Sequence, residues 1–129
     1  MSKKFELFPS VNVLGGELKP CGSDPVTGFF RDGFCNTCTE DLGSHTVCVE
    51  VSNDFLNYSK EVGNDLSTPI QLARFPGLIQ GDRWCLCAGR WLEAYKEGKA
   101  PKIFLENTHI DAMKIIPREL LEEFAAQIN

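Results

Sequence analysis

The chain has 129 residues, of which 43% are hydrophobic and 24% charged, close to the average of globular domains. This length fits a single domain over residues 1–129 that buries a core large enough to fold without help. The 13 Lys and Arg residues against 18 Asp and Glu residues give a net charge of -5. Such a balance repels a polyphosphate backbone on average, so we expect neither DNA nor RNA as a partner.

Residues 1–16 contain Lys3-Lys4 but no apolar run long enough for the core of a signal peptide. Nowhere in the chain do ~18 consecutive apolar residues occur. We therefore expect a cytoplasmic protein with no membrane partner. The six cysteines are then expected to be free thiols or metal ligands, because a reducing cytosol disfavours disulfides.

Residues 9–45 are dense in Gly, Pro, Asp, Ser and Thr, which predicts an irregular first third made of turns. Within it Asp32-Gly33 lies between Phe29-Phe30 and Phe34-Cys35. An Asp-Gly pair flanked by aromatic residues predicts a two-residue β-hairpin, because both turn positions need a positive φ.

The pattern becomes regular from residue 45. In "HTVCVEV" the three valines alternate with Thr, Cys and Glu, which predicts a half-buried strand. Asn53 is then placed to cap a helix over about residues 54–62, and Gly63 supplies its left-handed stop. In the loop that follows, Pro76-Gly77 suits the central positions of a type II turn.

A second strand and a second helix are predicted by "RWCLC" and "AGRWLEAYKEG", the latter with apolar residues at helical spacing up to Gly98. "KIFLE" predicts a third strand, Thr108 is placed to cap a short helix, and an apolar stripe after Pro117 predicts a final helix. The expected fold is α+β: a single domain with a small mixed β-sheet, helices mainly on one face, and an irregular hairpin-bearing N-terminal third.

Five strings in this order, "TGFFRDGFC", "DLGSHTVC", "GNDLSTP", "FPGL" and "GDRWCLCAGRW", resemble the small bacterial proteins grouped as domain of unknown function 2237. The resemblance runs from about Asn12 to Phe124. It implies a short single-domain protein and brings no activity with it. It also implies that Cys35 belongs to the motif of the family whereas Cys38 does not, so "CNTC" is partly accidental.

The string "CLC" holds the best candidates for covalent chemistry. Cys87 precedes the second predicted helix, whose N–H groups and positive end favour a thiolate. His45 is available as a base, and Asp41 is close enough in sequence to orient it. We therefore name Cys87, Cys85, His45 and Asp41 as candidate catalytic residues, although the sequence does not show that they meet. The alternative is that both cysteines are small buried hydrophobic residues.

A metal site would join "CNTC" to "CLC" as a zinc site of four thiolates, from Cys35, Cys38, Cys85 and Cys87. Two features argue against it: no Gly or Pro accompanies Cys38 to form a tight knuckle, and the second pair is Cys-x-Cys on a strand. We expect no cofactor, with zinc kept as the alternative.

Polar loop residues form a third group. Asn64, Asp65 and Asp82 could line a pocket for a small polar or anionic ligand, with Arg90 as the anion clamp. The alternative is that these side chains only cap helices and close turns.

The residues thus leave three functions open. The first is a small-molecule-binding protein or a thiol-based enzyme, with a polar pocket near the corner from Cys85 to Arg90. The second is a zinc-stabilised protein-interaction module, and the third is a structural partner protein without a small-molecule site. Neither catalysis nor the oligomeric state is decided by the sequence.

Overall fold

A three-stranded antiparallel sheet lies at the centre of the computed structural model, which describes residues 6–126. Its strands are β1 (Val47–Glu50), β2 (Arg83–Leu86) and β3 (Lys102–Ile103), in the order β2-β1-β3. The predicted α+β class is confirmed. The parallel part of the predicted mixed sheet is reduced to an isolated bridge between Ile103 and Ala125.

Three α-helices follow the predicted order: α1 (Asn53–Glu61), α2 (Ala88–Lys96) and α3 (Arg118–Glu123). Ser52, and not Asn53, caps α1, because its hydroxyl accepts the N–H of Phe55. The third strand is shorter than predicted, since the chain turns into a 3-10 helix over Leu105–Asn107. Cys87 lies just outside β2 and directly before α2, so it joins strand to helix.

The apolar core lies between the sheet and the three helices. Val47 and Val49 of β1 share this face with Trp84 and Leu86 of β2, as the alternation of a strand requires. Trp91 of α2 is fully buried in the same cluster, and its indole N–H donates to the carbonyl of Pro101 at 3.0 Å. A buried tryptophan with a satisfied N–H anchors α2 on the sheet.

The irregular N-terminal third covers the opposite face of the sheet. Cys48 and Cys85, which are paired across β1 and β2, cluster there with Cys21, Cys35 and Phe104. The predicted hairpin at Asp32-Gly33 does not form, because residues 29–34 make turns and bends without paired strands. The Asp32 carboxylate instead accepts the N–H of Phe34, which closes a local turn.

Two disulfides join this N-terminal third to the sheet: Cys21 with Cys48, and Cys35 with Cys85. The prediction that all cysteines are free thiols or metal ligands is therefore wrong for these four. The register of β1 and β2 causes the difference, because it places Cys48 opposite Cys85 and lets each meet a cysteine of the covering loop. Cys38 and Cys87 remain free.

A separate finding concerns membranes: among residues 6–126, no helix combines the length and the apolar character that a membrane crossing requires.

Reduction of the two disulfides should lower the free energy of unfolding, because the bridges close loops between residues that are 27 and 50 positions apart. A loop of the shorter size is expected to contribute about 3.5 kcal/mol. The measurement is denaturant unfolding with and without a phosphine reductant. An unchanged unfolding midpoint would contradict this account, as would six alkylatable thiols in denatured, unreduced protein.

Candidate functional site

A cysteine and a histidine meet where β2 ends. Cys87 follows β2 and His45 precedes β1, and the two strands are antiparallel, so their ends lie side by side. The Sγ atom of Cys87 lies 3.2 Å from Nε2 of His45. The N–H of Ala88 donates to the carbonyl of Ser44 at 3.0 Å. This hydrogen bond fixes the start of α2 beside the segment that carries His45.

Asp41 holds the other nitrogen of the imidazole. Its Oδ1 lies 2.6 Å from Nδ1 of His45, and its carboxylate is fully buried. Its Oδ2 accepts the backbone N–H of His45 and the hydroxyl of Thr37, both at 2.9 Å. A carboxylate with both oxygens engaged fixes the orientation of the ring and directs Nε2 at the sulfur.

The environment of His45 favours its charged form. The hydrogen bond with Cys87 raises the pKa of His45 to about 9, with further support from Asp41, while partial burial of the ring opposes the rise. At neutral pH the ring therefore carries two N–H groups. One donates to the Asp41 carboxylate and the other to the sulfur of Cys87.

Gly43 closes one side of this pair. A Cβ atom at Gly43 would lie 2.8 Å from Cε1 of His45 and 3.1 Å from Sγ of Cys87. The first distance is shorter than the contacts that real Cβ atoms make, so a larger residue at this position would displace the imidazole ring. The pair is thus covered on the side of the 41–45 loop.

A cavity of about 250 Å³ opens on the other side of the pair. Four of its lining residues are apolar: Phe29, Leu66, Trp84 and Leu86. Its polar lining comes from Arg31, Asn64, His45 and Cys87. Apolar and polar residues thus contribute equally to the lining. The volume lies below the ~300–1,000 Å³ of pockets for drug-sized ligands, so it suits a small molecule.

The structure brings three of the four candidate catalytic residues together: Cys87, His45 and Asp41. Cys85 has no free thiol, because it is bonded to Cys35, and it is only 1% exposed. The reason is the pleat of β2: Cys85 points to the face covered by the N-terminal third, whereas Cys87 lies beyond the strand.

The four candidate ligand-binding residues are dispersed. Asn64 lines the cavity beside Cys87. The Asp65 carboxylate accepts the N–H groups of Ser67 and Thr68, and Asp82 accepts the N–H of Ile79, so both close turns. Arg90 forms an ion pair with Glu93 at 3.3 Å on the outer surface of α2.

Sequence reasoning missed Phe29 and Arg31 as cavity residues. Both belong to the segment predicted as a hairpin, and the bend that forms in its place carries them to the cavity. The guanidinium carbon of Arg31 lies 5.2 Å from the centre of the Trp84 ring. No short-range pattern in "TGFFRDG" indicates this contact, because Trp84 is far away in the chain.

The four-thiolate zinc site that the sequence left as an alternative is not assembled. Cys35 is bonded to Cys85, and the sulfur of Cys87 contacts His45. Among the described residues, the sulfurs that come together are those of Cys21, Cys35 and Cys85, all within 4.8 Å of one another. Such a buried cluster could hold a metal ion, but here its members form disulfides.

Comparison with known proteins gives one family. The model of a family described as an uncharacterised protein conserved in bacteria, domain of unknown function 2237, matches residues 11–125. No significant match is found among curated proteins.

The pKa values of the two histidines should lie on opposite sides of the ordinary histidine pKa of 6.5. His45 should change charge near pH 9, while burial lowers the pKa of His109. At neutral pH His45 is then charged and His109 neutral. Proton NMR of the ring signals checks this, and Cys87→Ala should move the pKa of His45 down, because it removes the largest cause of the rise.

A pair of glycine variants provides a geometric control for that titration. Gly43→Ala should also lower the pKa of His45, since the new methyl group pushes the ring away from the sulfur. Gly89→Ala, in the first turn of α2, meets nothing within 4 Å and should leave the titration unchanged. An equal response to both variants would show that the pair is not held as described.

Proposed function

The chain belongs to domain of unknown function 2237, and we propose that it is a thiol-dependent enzyme that transfers acyl groups of small molecules, with Cys87 as nucleophile. The observation that carries this proposal is the continuous chain from the Asp41 carboxylate through His45 to the Cys87 sulfur, with contacts of 2.6 and 3.2 Å. A nucleophile, a base and an orienting carboxylate in hydrogen-bond reach are what acyl transfer requires.

Three features support Cys87 as the nucleophile. It is partly exposed and opens onto the cavity, whereas the other free thiol, Cys38, is buried. It directly precedes α2, whose first N–H groups favour a thiolate. Its partner His45 is protonated at neutral pH and donates toward the sulfur, and a neighbouring cation further favours the thiolate.

The proposed reaction has two steps, acylation of Cys87 and hydrolysis of the resulting thioester. The Cys87 thiolate forms a bond to the carbonyl carbon of the substrate, the bond to the leaving group breaks, and the Nε2 proton of His45 passes to the leaving group. Neutral His45 then takes a proton from water as the water oxygen attacks the thioester. The acid is released, and the thiolate and the protonated imidazole are restored.

The first turn of α2 is suited to stabilise the negative oxygen that develops on the carbonyl. The N–H groups of Gly89 and Arg90 have no acceptor within the helix, as is general for a first turn. Donors fixed in advance near the reacting carbon lower the barrier more than groups that must reorient.

Asp41 and Thr37 are positioning residues. Asp41 holds the imidazole of His45, and the hydroxyl of Thr37 donates to the Asp41 carboxylate.

A second candidate function follows from the sulfur cluster of Cys21, Cys35 and Cys85. In the cytoplasm, which remains our predicted location, reduction of both disulfides would convert these cysteines and Cys48 into four neighbouring thiols. Thiolates are preferred ligands of zinc, so the reduced chain could be a zinc-stabilised interaction module. Native mass spectrometry of reduced protein with added zinc tests this, and the absence of a bound ion would remove the candidate.

Alkylation by iodoacetamide at neutral pH tests the enzyme proposal. Cys87 should react faster than Cys38, and His45→Gln should slow the reaction of Cys87 by about tenfold or more, because an unassisted thiol is only a few per cent ionised at neutral pH. Asp41→Asn should slow it less. Peptide mapping by mass spectrometry gives the rate at each thiol.

The chain offers a matched control for the carboxylate. Asp111 lies 4.0 Å from Nδ1 of His109, the other histidine, so Asp111→Asn removes a carboxylate beside a histidine outside the site. This variant should alkylate at the rate of the wild type. The proposal fails if Cys87 reacts no faster than Cys38, or if His45→Gln leaves its rate unchanged.

Acyl transfer itself needs a second readout. A p-nitrophenyl acetate reaction should release nitrophenol in a burst and leave an acetyl group on Cys87, and Cys87→Ser should abolish the burst. If acetyl groups are found on lysines and none on Cys87, the proposed acyl-transfer reaction is wrong, even if Cys87 reacts quickly with iodoacetamide.

A further inference from the structure

Arg31 is a cation held at the wall of the Cys87 cavity. Its Nη1 donates to the carbonyl of Gly28 at 3.1 Å, and its guanidinium lies over the Trp84 ring. Within residues 6–126 no carboxylate forms an ion pair with it, and its other guanidinium N–H groups donate no hydrogen bond. The guanidinium is thus oriented and still able to bind an anion.

The charged groups that line the cavity are cationic. Among residues 6–126 its lining contains the Arg31 guanidinium and the His45 ring but no carboxylate. Asp41 lies behind His45, and both of its oxygens are engaged by His45 and Thr37. A concave site with cations and low-dielectric walls concentrates anions.

We propose that this cavity selects small organic anions, with Arg31 as the residue that binds their oxyanion group and positions them for Cys87. The planar guanidinium pairs with a carboxylate or a phosphate through parallel N–H groups. The apolar body of such a ligand would pack on Phe29 and Leu66. This inference rests on the proposed function and names its substrate class, an acyl compound that also carries a carboxylate or phosphate.

Arg31 takes the role that the sequence suggested for Arg90. Arg90 points its guanidinium at Glu93 and does not line the cavity. Arg31 reaches it through the bend at residues 28–34, where its backbone adopts a left-handed φ of 55°.

The test compares two alkylating agents that differ in charge. Iodoacetate is anionic and iodoacetamide is neutral, and both form the same kind of bond to Cys87. Arg31→Gln should lower the ratio of the iodoacetate rate to the iodoacetamide rate by about fivefold, the effect of one unit charge near the reacting group in water. The iodoacetamide rate is measured in each variant, so that the ratio removes any change in the reactivity of the thiol itself.

Arg74→Gln is the matched control. Arg74 also has a left-handed φ, of 53°, and lines with Arg31 a neighbouring cavity of about 480 Å³, but it does not line the Cys87 cavity. The ratio should be unchanged in this variant. An unchanged ratio in Arg31→Gln, or an equal fall in both variants, would overturn the assignment of Arg31.

The same data separate the two proposals. A slow iodoacetamide reaction of Cys87 in the wild type would contradict the proposed enzyme activity. A fast iodoacetamide reaction with a rate ratio that Arg31→Gln does not change would contradict only the inference of an anionic substrate.

A measurement on the wild type keeps the test valid if Arg31→Gln fails to fold. Benzoate or phenyl phosphate should protect Cys87 from iodoacetamide better than the neutral benzamide. The anion that gives the greater protection identifies the oxyanion group that Arg31 prefers. Equal protection by benzamide, or no protection by either anion, would overturn the inference.

Discussion

The antiparallel register of β1 and β2 is the constraint on which the rest of the structure depends. It pairs Val47 with Leu86 and Cys48 with Cys85. The Val47–Leu86 pair faces the helices, and the Cys48–Cys85 pair faces the N-terminal third. Continued by one residue, the same register brings the segment of His45 beside Cys87. A slip of one residue would turn the cysteines into the apolar core and separate the reactive pair, because alternate residues of a strand face opposite sides.

The two disulfides and the candidate site are linked through this register. Cys21 and Cys35 fasten the N-terminal third to the back of the sheet, and that segment supplies Arg31 at the cavity wall. Its continuation supplies Asp41, whose buried carboxylate is stable because three hydrogen bonds engage it. The irregular part of the chain thus carries the polar groups, and the regular part supplies the surface that holds them.

Local patterns predicted much of this arrangement. Strand alternation around residue 47 and helical spacing after Ala88 are periodic signals, and both elements lie where they predict. The position of Cys87 before a helix and the short separation of Asp41 from His45 also suggested how these residues could act. The disulfide partners and the cavity role of Arg31 could not be predicted, because they depend on pairings between segments far apart in the chain. The prediction of a hairpin at Asp32 was wrong, because the Asp32 carboxylate accepts the N–H of Phe34 and the resulting turn competes with strand pairing.

The central claim is that His45, oriented by Asp41, activates Cys87 as a nucleophile. The most direct measurement is the rate at which p-nitrophenyl acetate acetylates Cys87 in native protein, followed by peptide mass spectrometry in the wild type and in His45→Gln. The account predicts that acetyl-Cys87 forms in the wild type and that His45→Gln slows its formation by about tenfold or more. Equal rates in the two proteins would contradict the account.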